Sequence, residues 1–298
     1  ALQAADSPTQ QETKLRILNR FAASLAFQQK YDEAEKYYQD AISLATNLNR
    51  SYLITQSYFS LAILLDEQGK WKDAIQIYKN ILAKLNAETD KENRARTYNN
   101  LGILYEKQGD LHEAEKYFYQ CLDLLDELGL AYSDSGIRLL ENIGQIEAKK
   151  GDLEKAIGCY NAALNICQEI DATYHEATTL NNLGTIYLDQ GDLPNAIVSF
   201  TKSAKKHQGV NNPKGQSLAL SNLGSAYVDQ GAYDLAEQCY QNSLMISKSF
   251  GDRSREARTY NNLGALAEKT VRDKDALVYY QKSMLIFLDL EEFYRAIV

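Results

Sequence analysis

Asn99-Asn100-Leu101-Gly102 decides how this chain reads, because it returns. The same register holds Glu141-Asn142-Ile143-Gly144, Asn181-Asn182-Leu183-Gly184, Ser221-Asn222-Leu223-Gly224 and Asn261-Asn262-Leu263-Gly264. These glycines stand 42, 40, 40 and 40 residues apart. Counting back from Gly102 in steps of 40 reaches Ala62 and Ala22, again small residues. Self-similarity at a fixed period marks a repeat architecture.

A second landmark follows each small residue by twelve positions, and it is always alanine: Ala34, Ala74, Ala114, Ala156, Ala196, Ala236 and Ala276. Four residues later comes an aromatic: Tyr38, Tyr78, Phe118, Tyr160, Phe200, Tyr240 and Tyr280. In the third unit Ala95, Tyr98, Leu101, Gly102 and Tyr105 follow the three-and-four spacing of a helix with one apolar stripe. Gly109-Asp110 breaks the pattern, and glycine suits a left-handed cap there, as do Gly69, Gly151, Gly191 and Gly231 in other units. A second helix is predicted from Leu111 to Leu128. The small residues imply two backbones in close approach, glycine or alanine against alanine, with the aromatic filling the wedge between neighbouring hairpins.

Leu101, Gly102, Tyr105, Gly109, Ala114 and Phe118 resemble the tetratricopeptide repeat, and the resemblance covers residues 12–298. The period of forty exceeds the family's usual thirty-four, and the closing proline of the second helix is missing. Longer repeats of this kind look like the subgroup of kinesin light chains, Pins/LGN polarity adaptors and bacterial Rap-type regulators. The resemblance implies an all-α fold, a right-handed superhelical solenoid of seven helix-turn-helix repeats. The units fall at residues 12–50, 51–90, 91–130, 131–170, 171–209, 210–252 and 253–298, after a flexible tail at 1–11. The end units diverge, as capping repeats do: Gln29 and Val271 replace the turn glycine. Two extra residues before Gly144 enlarge the turn near Leu128 to Ser135, and Gly209 to Pro213 read as a loop before the sixth unit, with Pro213 suited to a helix start.

In that family the first helix of each unit lines a concave groove. Two positions before the landmark the chain reads Arg20, Ser60, Asn100, Asn142, Asn182, Asn222 and Asn262. Asparagine is a poor residue for the middle of a helix, so five in register suggest a use. A carboxamide can pair with both C=O and N–H of an extended peptide, which is what the resemblance to O-GlcNAc transferase repeats and the polarity adaptors implies. The alternative is that these amides bond to neighbouring helices and fix the angle between repeats. One turn earlier lie Arg16, Arg96, Arg138 and Arg258, whose guanidinium groups suit carboxylates, so an acidic segment is the expected ligand over Arg96 and Arg138. Local neutralisation by Glu106, Glu141, Asp189 and Asp229 is the alternative. Lys107, Lys149 and Lys269 resemble part of the carboxylate clamp of chaperone-binding repeats, without completing it.

Composition bounds the rest. The 298 residues are 45% hydrophobic and 24% charged with three prolines, an ordinary globular composition that favours helix. A net charge of −8 and no Lys/Arg-rich run argue against nucleic acid as a partner. No apolar stretch reaches the length needed to span a membrane. Cys121, Cys159, Cys167 and Cys239 sit within helical patterns at no metal-ligand spacing and read as small apolar fillers in a reducing, cytoplasmic compartment. His112, His175 and His207 are dispersed, and no phosphate-binding loop, HExxH or CxxC motif occurs. The expectation is a non-enzyme without metal or cofactor: an adaptor carrying a partner peptide. The second reading is a bacterial sensor that changes curvature on binding a peptide to control an enzyme or transcription factor. The apolar end at Phe293, Tyr294, Ala296, Ile297 and Val298 suggests a homodimer through the last helix.

Overall fold

The computed structural model describes residues 8–297, with side-chain surroundings for 9–290. Every element among the described residues is helical, and the helices pair as seven hairpins. One compact unit ends at Ala131 and the other begins at Tyr132. The first holds α1 (Pro8–Phe27) with α2 (Tyr31–Asn47), α3 (Ser51–Glu67) with α4 (Trp71–Lys84), and α5 (Lys91–Gln108) with α6 (Leu111–Glu127). The second holds α7 (Asp134–Lys150) with α8 (Leu153–Glu169), and α9 (Thr173–Asp189) with α10 (Leu193–Gly209). It continues with α11 (Pro213–Gln230) and α12 (Tyr233–Phe250), then α13 (Arg253–Lys269) and α14 (Asp273–Ile297). Within each unit the second helix of a hairpin also packs on the first helix of the next, the stacking of a helical solenoid.

The turns follow the sequence closely. Gly69, Gly109, Gly151, Gly191 and Gly231 take φ between +72° and +88°, the left-handed region that glycine enters without steric cost. The following aspartate starts the next helix: Asp110, Asp152 and Asp192 accept from the N–H groups of Glu113, Lys155 and Asn195 at 3.1, 3.2 and 3.2 Å. Gln29 and Val271 keep the same turn at φ +61° and +57° without glycine. For the β-branched Val271 that conformation is strained. The connection between α6 and α7 is Leu128–Ser133, within the enlarged turn that the two extra residues predict. One boundary moves: α1 already runs from Pro8, so residues 8–11 are helix rather than tail, and residues 1–7 lie outside the described residues.

The landmark residues meet differently from the expectation. The nearest neighbours that a Cβ at Gly102, Gly184, Gly224 or Gly264 would meet are ring carbons of Phe118, Phe200, Tyr240 and Tyr280, at 2.5, 2.8, 2.6 and 2.7 Å. Glycine therefore makes room first for the aromatic of its own hairpin. The ring then reaches onward, as expected of a wedge. Tyr160 clusters with Leu183 and Ile186, Phe200 with Leu223 and Ala226, and Tyr240 with Leu263 and Leu266. Tyr160, Phe200 and Tyr240 thus each join two hairpins. The alanines at the second landmark are buried in every hairpin.

Candidate functional site

The candidate residues lie on first helices of both units, and each unit carries its own set. In the first unit Asn100 is half-buried on α5 and donates from Nδ2 to Tyr78 Oη on α4 at 3.0 Å. Burial pushes the Tyr78 hydroxyl up to about 12, against the pull of that bond, so Tyr78 stays protonated. Arg96, one turn earlier, is exposed and stacks on Phe59, its guanidinium carbon 4.4 Å from the ring centroid. Lys107 Nζ reaches both oxygens of Asp66 at 2.6 and 2.7 Å, so it holds a neighbouring hairpin rather than standing open as a clamp.

In the second unit the amides face the seams between successive first helices. Asn222 Nδ2 donates to Asn181 Oδ1 at 3.0 Å, and Asn262 Nδ2 to Ser221 Oγ at 3.1 Å. Thr179 donates to Glu141 Oε1 at 2.6 Å across the α7–α9 seam. Burial raises the Glu141 carboxyl above its usual range, countered by the Thr179 bond, His175 and Arg138. Asn142 and Asn182 are half-buried in the same register, and Arg138 and Arg258 are exposed. Arg96 lies in the first unit and Arg138 and Arg258 in the second.

One amide N–H of each of Asn100, Asn222 and Asn262 is therefore engaged within the fold, while their oxygens keep acceptor capacity. The acceptors Asn181 and Ser221 carry no weight in the sequence reading. They stand 41 residues before their donors, one more than the repeat, and that offset is the signal that could have found them.

The chemistry of other side chains is subdued. Burial raises the thiols of Cys121 to about 12 and of Cys159, Cys167 and Cys239 to about 11, which keeps them as unreactive thiols. Among the described residues no group of His, Cys, Asp and Glu is arranged to hold a metal ion. No helix there is long and apolar enough to cross a membrane. The side chains from Phe293 to Val298, on which the expected homodimer rests, lie outside the described surroundings.

Comparison with known proteins agrees with this architecture. The sequence model of the tetratricopeptide repeat matches residues 13–87, 81–127, 137–205 and 216–288. No curated protein sequence matches the chain. Among solved structures, BtubC (BKLC) from P. vanneervenii is 22% identical with a TM-score of 0.63, over 83% of this chain and 93% of that one. The apo form of RapI is 13% identical with a TM-score of 0.64, over 80% and 99%. A Rap protein complexed with competence and sporulation factor is 15% identical with a TM-score of 0.60, over 94% and 99%. At these identities the likeness is one of fold. Repeats of this kind generally serve as non-catalytic scaffolds for protein–protein interaction. With four matches that together span most of its length, the chain belongs to the tetratricopeptide repeat family.

Proposed function

We propose that this chain is a cytoplasmic adaptor, working without cofactor, whose first-helix face holds an extended acidic segment of a partner protein. The observation that carries this reading is the pairing of exposed arginine with half-buried asparagine in one register. Arg138 precedes Asn142 by one turn, and Arg258 precedes Asn262 in the same way. Guanidinium supplies a planar donor pair for carboxylates, and carboxamide oxygens that retain lone pairs accept from a peptide backbone N–H. Asn182, whose carboxamide makes no hydrogen bond among the described residues, offers donor and acceptor together. A net charge of −8 makes nucleic acid an unfavourable alternative ligand.

The test is fluorescence anisotropy with a labelled acidic peptide against the wild type and an Arg138→Glu/Arg258→Glu variant. Affinity falls at least tenfold in the variant and falls with added salt; equal affinity for both proteins overturns the reading. A second reading, the sensor that changes curvature, draws on the fold shared with the Rap protein solved with competence and sporulation factor, which spans 94% of this chain. Small-angle scattering separates the two. An adaptor keeps its radius of gyration when the peptide is added, and a sensor changes it.

A further inference from the structure

The first and last helices break the burial pattern of the repeat. Phe21 on α1 stands at a position that holds leucine or isoleucine in the six later first helices, each 7% exposed or less, yet Phe21 is 48% exposed. Ile17, one turn earlier, is 61% exposed, while the six residues in its place, from Ser57 to Thr259, are at most 1% exposed. The later first helices differ from α1 in having a hairpin before them. In the second unit these positions meet that preceding hairpin: Leu183 packs with Tyr160 of α8, Leu223 with Phe200 of α10, and Leu263 with Tyr240 of α12. Thr259 Oγ1, in the place of Ile17, lies 3.5 Å from Ser243 Oγ on α12.

The helix α14 carries the other half of that seam. Tyr280 holds its aromatic landmark and is only half-buried, whereas the six earlier aromatics are at most 5% exposed. The Tyr280 hydroxyl donates to Glu268 at 3.0 Å, which fixes the ring against its own hairpin. Leu277, Met284 and Phe287 lie on the same helical stripe as Tyr280 and are 60%, 55% and 42% exposed. The matching stripe of α8, with Ile157, Tyr160 and Leu164, packs on Leu183 and Ile186 of the next first helix. Terminal repeats of a solenoid stay soluble by turning a polar outer face to water, and apolar patches mark contact surfaces. Large apolar side chains stand on α1 and α14 instead.

We propose that the stripe of α14 receives α1 of a second copy of this chain, with Phe21 lying on Tyr280 as Leu263 lies on Tyr240. The occupant follows from the fold. Each seam within a unit pairs a second helix with the first helix of the next hairpin, and α1 and α14 hold the two halves of one such seam, each without its counterpart among the described residues. Charge agrees: α1 has three cations and one carboxylate, and residues 273–290 have three carboxylates and two cations. A contact between unlike faces is heterologous, so every copy that joins brings a new free face, and addition continues past two unless a ring closes. A two-fold pairing of α14 with α14 would stop at two. The contact uses none of the arginines or asparagines of the peptide register, so the two proposals stand or fall separately.

The experiment is sedimentation velocity of the full chain from micromolar to millimolar concentration. The weight-average mass rises with concentration and passes two copies. Phe21→Glu and Met284→Glu, both at exposed positions, each weaken association at least tenfold. Mixed in equal amounts the two variants associate again, because the α14 of one meets the α1 of the other, and the mixture stops at two copies. Should Phe21→Glu fail to fold by circular dichroism, Ile17→Glu takes its place. A wild type that stays a monomer throughout, or a mixture that does not associate, overturns the proposal. So does a Phe21→Glu variant that assembles like the wild type, the mark of a two-fold contact through α14.

Discussion

The third and sixth hairpins share every landmark and close their seams in opposite ways. In the third, Cys121 and Leu125 are buried and Phe118 covers Gly102. In the sixth the same two places hold Ser243 and Ser247, equally buried. Ser243 Oγ donates to the Ser217 carbonyl at 2.8 Å, and Ser217 Oγ lies 2.8 Å from Ser247 Oγ and 3.0 Å from Ser243 Oγ. Tyr240 replaces Phe118, with its hydroxyl 3.1 Å from Ser225 Oγ. The repeat therefore keeps volume at the seam and leaves polarity free, provided each buried hydroxyl finds a partner.

The hardest blow to that comparison is Phe118→Ala. The ring is fully buried and bridges the halves of its hairpin, so its loss should cost about 3–5 kcal/mol of unfolding free energy. Tyr240→Phe in the sixth hairpin keeps the ring and loses only the Ser225 contact, about 1 kcal/mol. Urea denaturation of both variants checks the ranking. Similar costs would mean that the aromatic acts through its hydroxyl and not through its volume.

A smaller effect is expected from Gly102→Ala, because the added methyl meets Phe118 carbons at 2.5 Å and the ring must yield. Overpacking of this kind costs about 1–3 kcal/mol. Gly144→Ala meets Tyr160 at 3.0 Å and should cost less, measurable as a smaller drop in thermal midpoint. The first two hairpins already carry Ala22 and Ala62 at this place, so alanine is compatible with the fold once the ring stands off. Equal drops for the two variants would break the link between ring distance and cost.

These contacts show what the sequence could and could not reveal. The period, the turns and the alternation of small and aromatic residues were legible because each is a steric demand repeated seven times. The partner of the glycine was not, since helix periodicity gives a face but not which side chain across the hairpin fills it. The serine seam hid for a related reason: Ser203, Ser243 and Ser283 look polar, yet each is buried and donates to a first-helix carbonyl, of Ala177, Ser217 and Ala257. At the site the asparagine register was readable, but the pairing of Asn222 with Asn181 and the stacking of Arg96 on Phe59 depend on geometry between hairpins. The early end of α4 at Lys84 is where the repeat fails, and a period cannot announce its own exception.

Acid should separate the joints that lead into the two hairpins. At the end of α10, His207 is buried, with Nδ1 3.0 Å from Nδ2 of Asn212, whose Oδ1 caps α11 at Gly215 N. The ring of Tyr174 stands 6.1 Å away, and the nearby Glu176 is engaged by Lys206. Burial lowers the His207 pKa below the ordinary 6.5, so the fold favours the neutral ring. Stability is then complete above 6.5 and falls as the pH drops through the lowered folded value. Protonation would also turn Nδ1 into a donor facing the Asn212 amide. Leu85 holds the matching place before the third hairpin, so acid has nothing to titrate there. Denaturant midpoints measured from pH 7.5 to 5 should decline in the wild type and flatten in His207→Gln; identical slopes would remove His207 from the account.

The finest test is the smallest. Ser203, Ser243 and Ser283 each bond a carbonyl that lies 26 residues earlier in the chain. The same count from Cys121 reaches Ala95, which is buried on α5. If the repeat presents that carbonyl in every hairpin, Cys121→Ser gives the new hydroxyl a partner, and the change stays within about 1 kcal/mol of neutral. An unpartnered hydroxyl there would instead cost about 1–3 kcal/mol through desolvation. The reverse change, Ser243→Ala, removes one donor while Ser217 keeps Ser247, and it too should stay near 1 kcal/mol. A large penalty for Cys121→Ser beside a small one for Ser243→Ala would show that backbone spacing differs between the hairpins. The apolar seam would then be a necessity of the third hairpin rather than one of two interchangeable solutions.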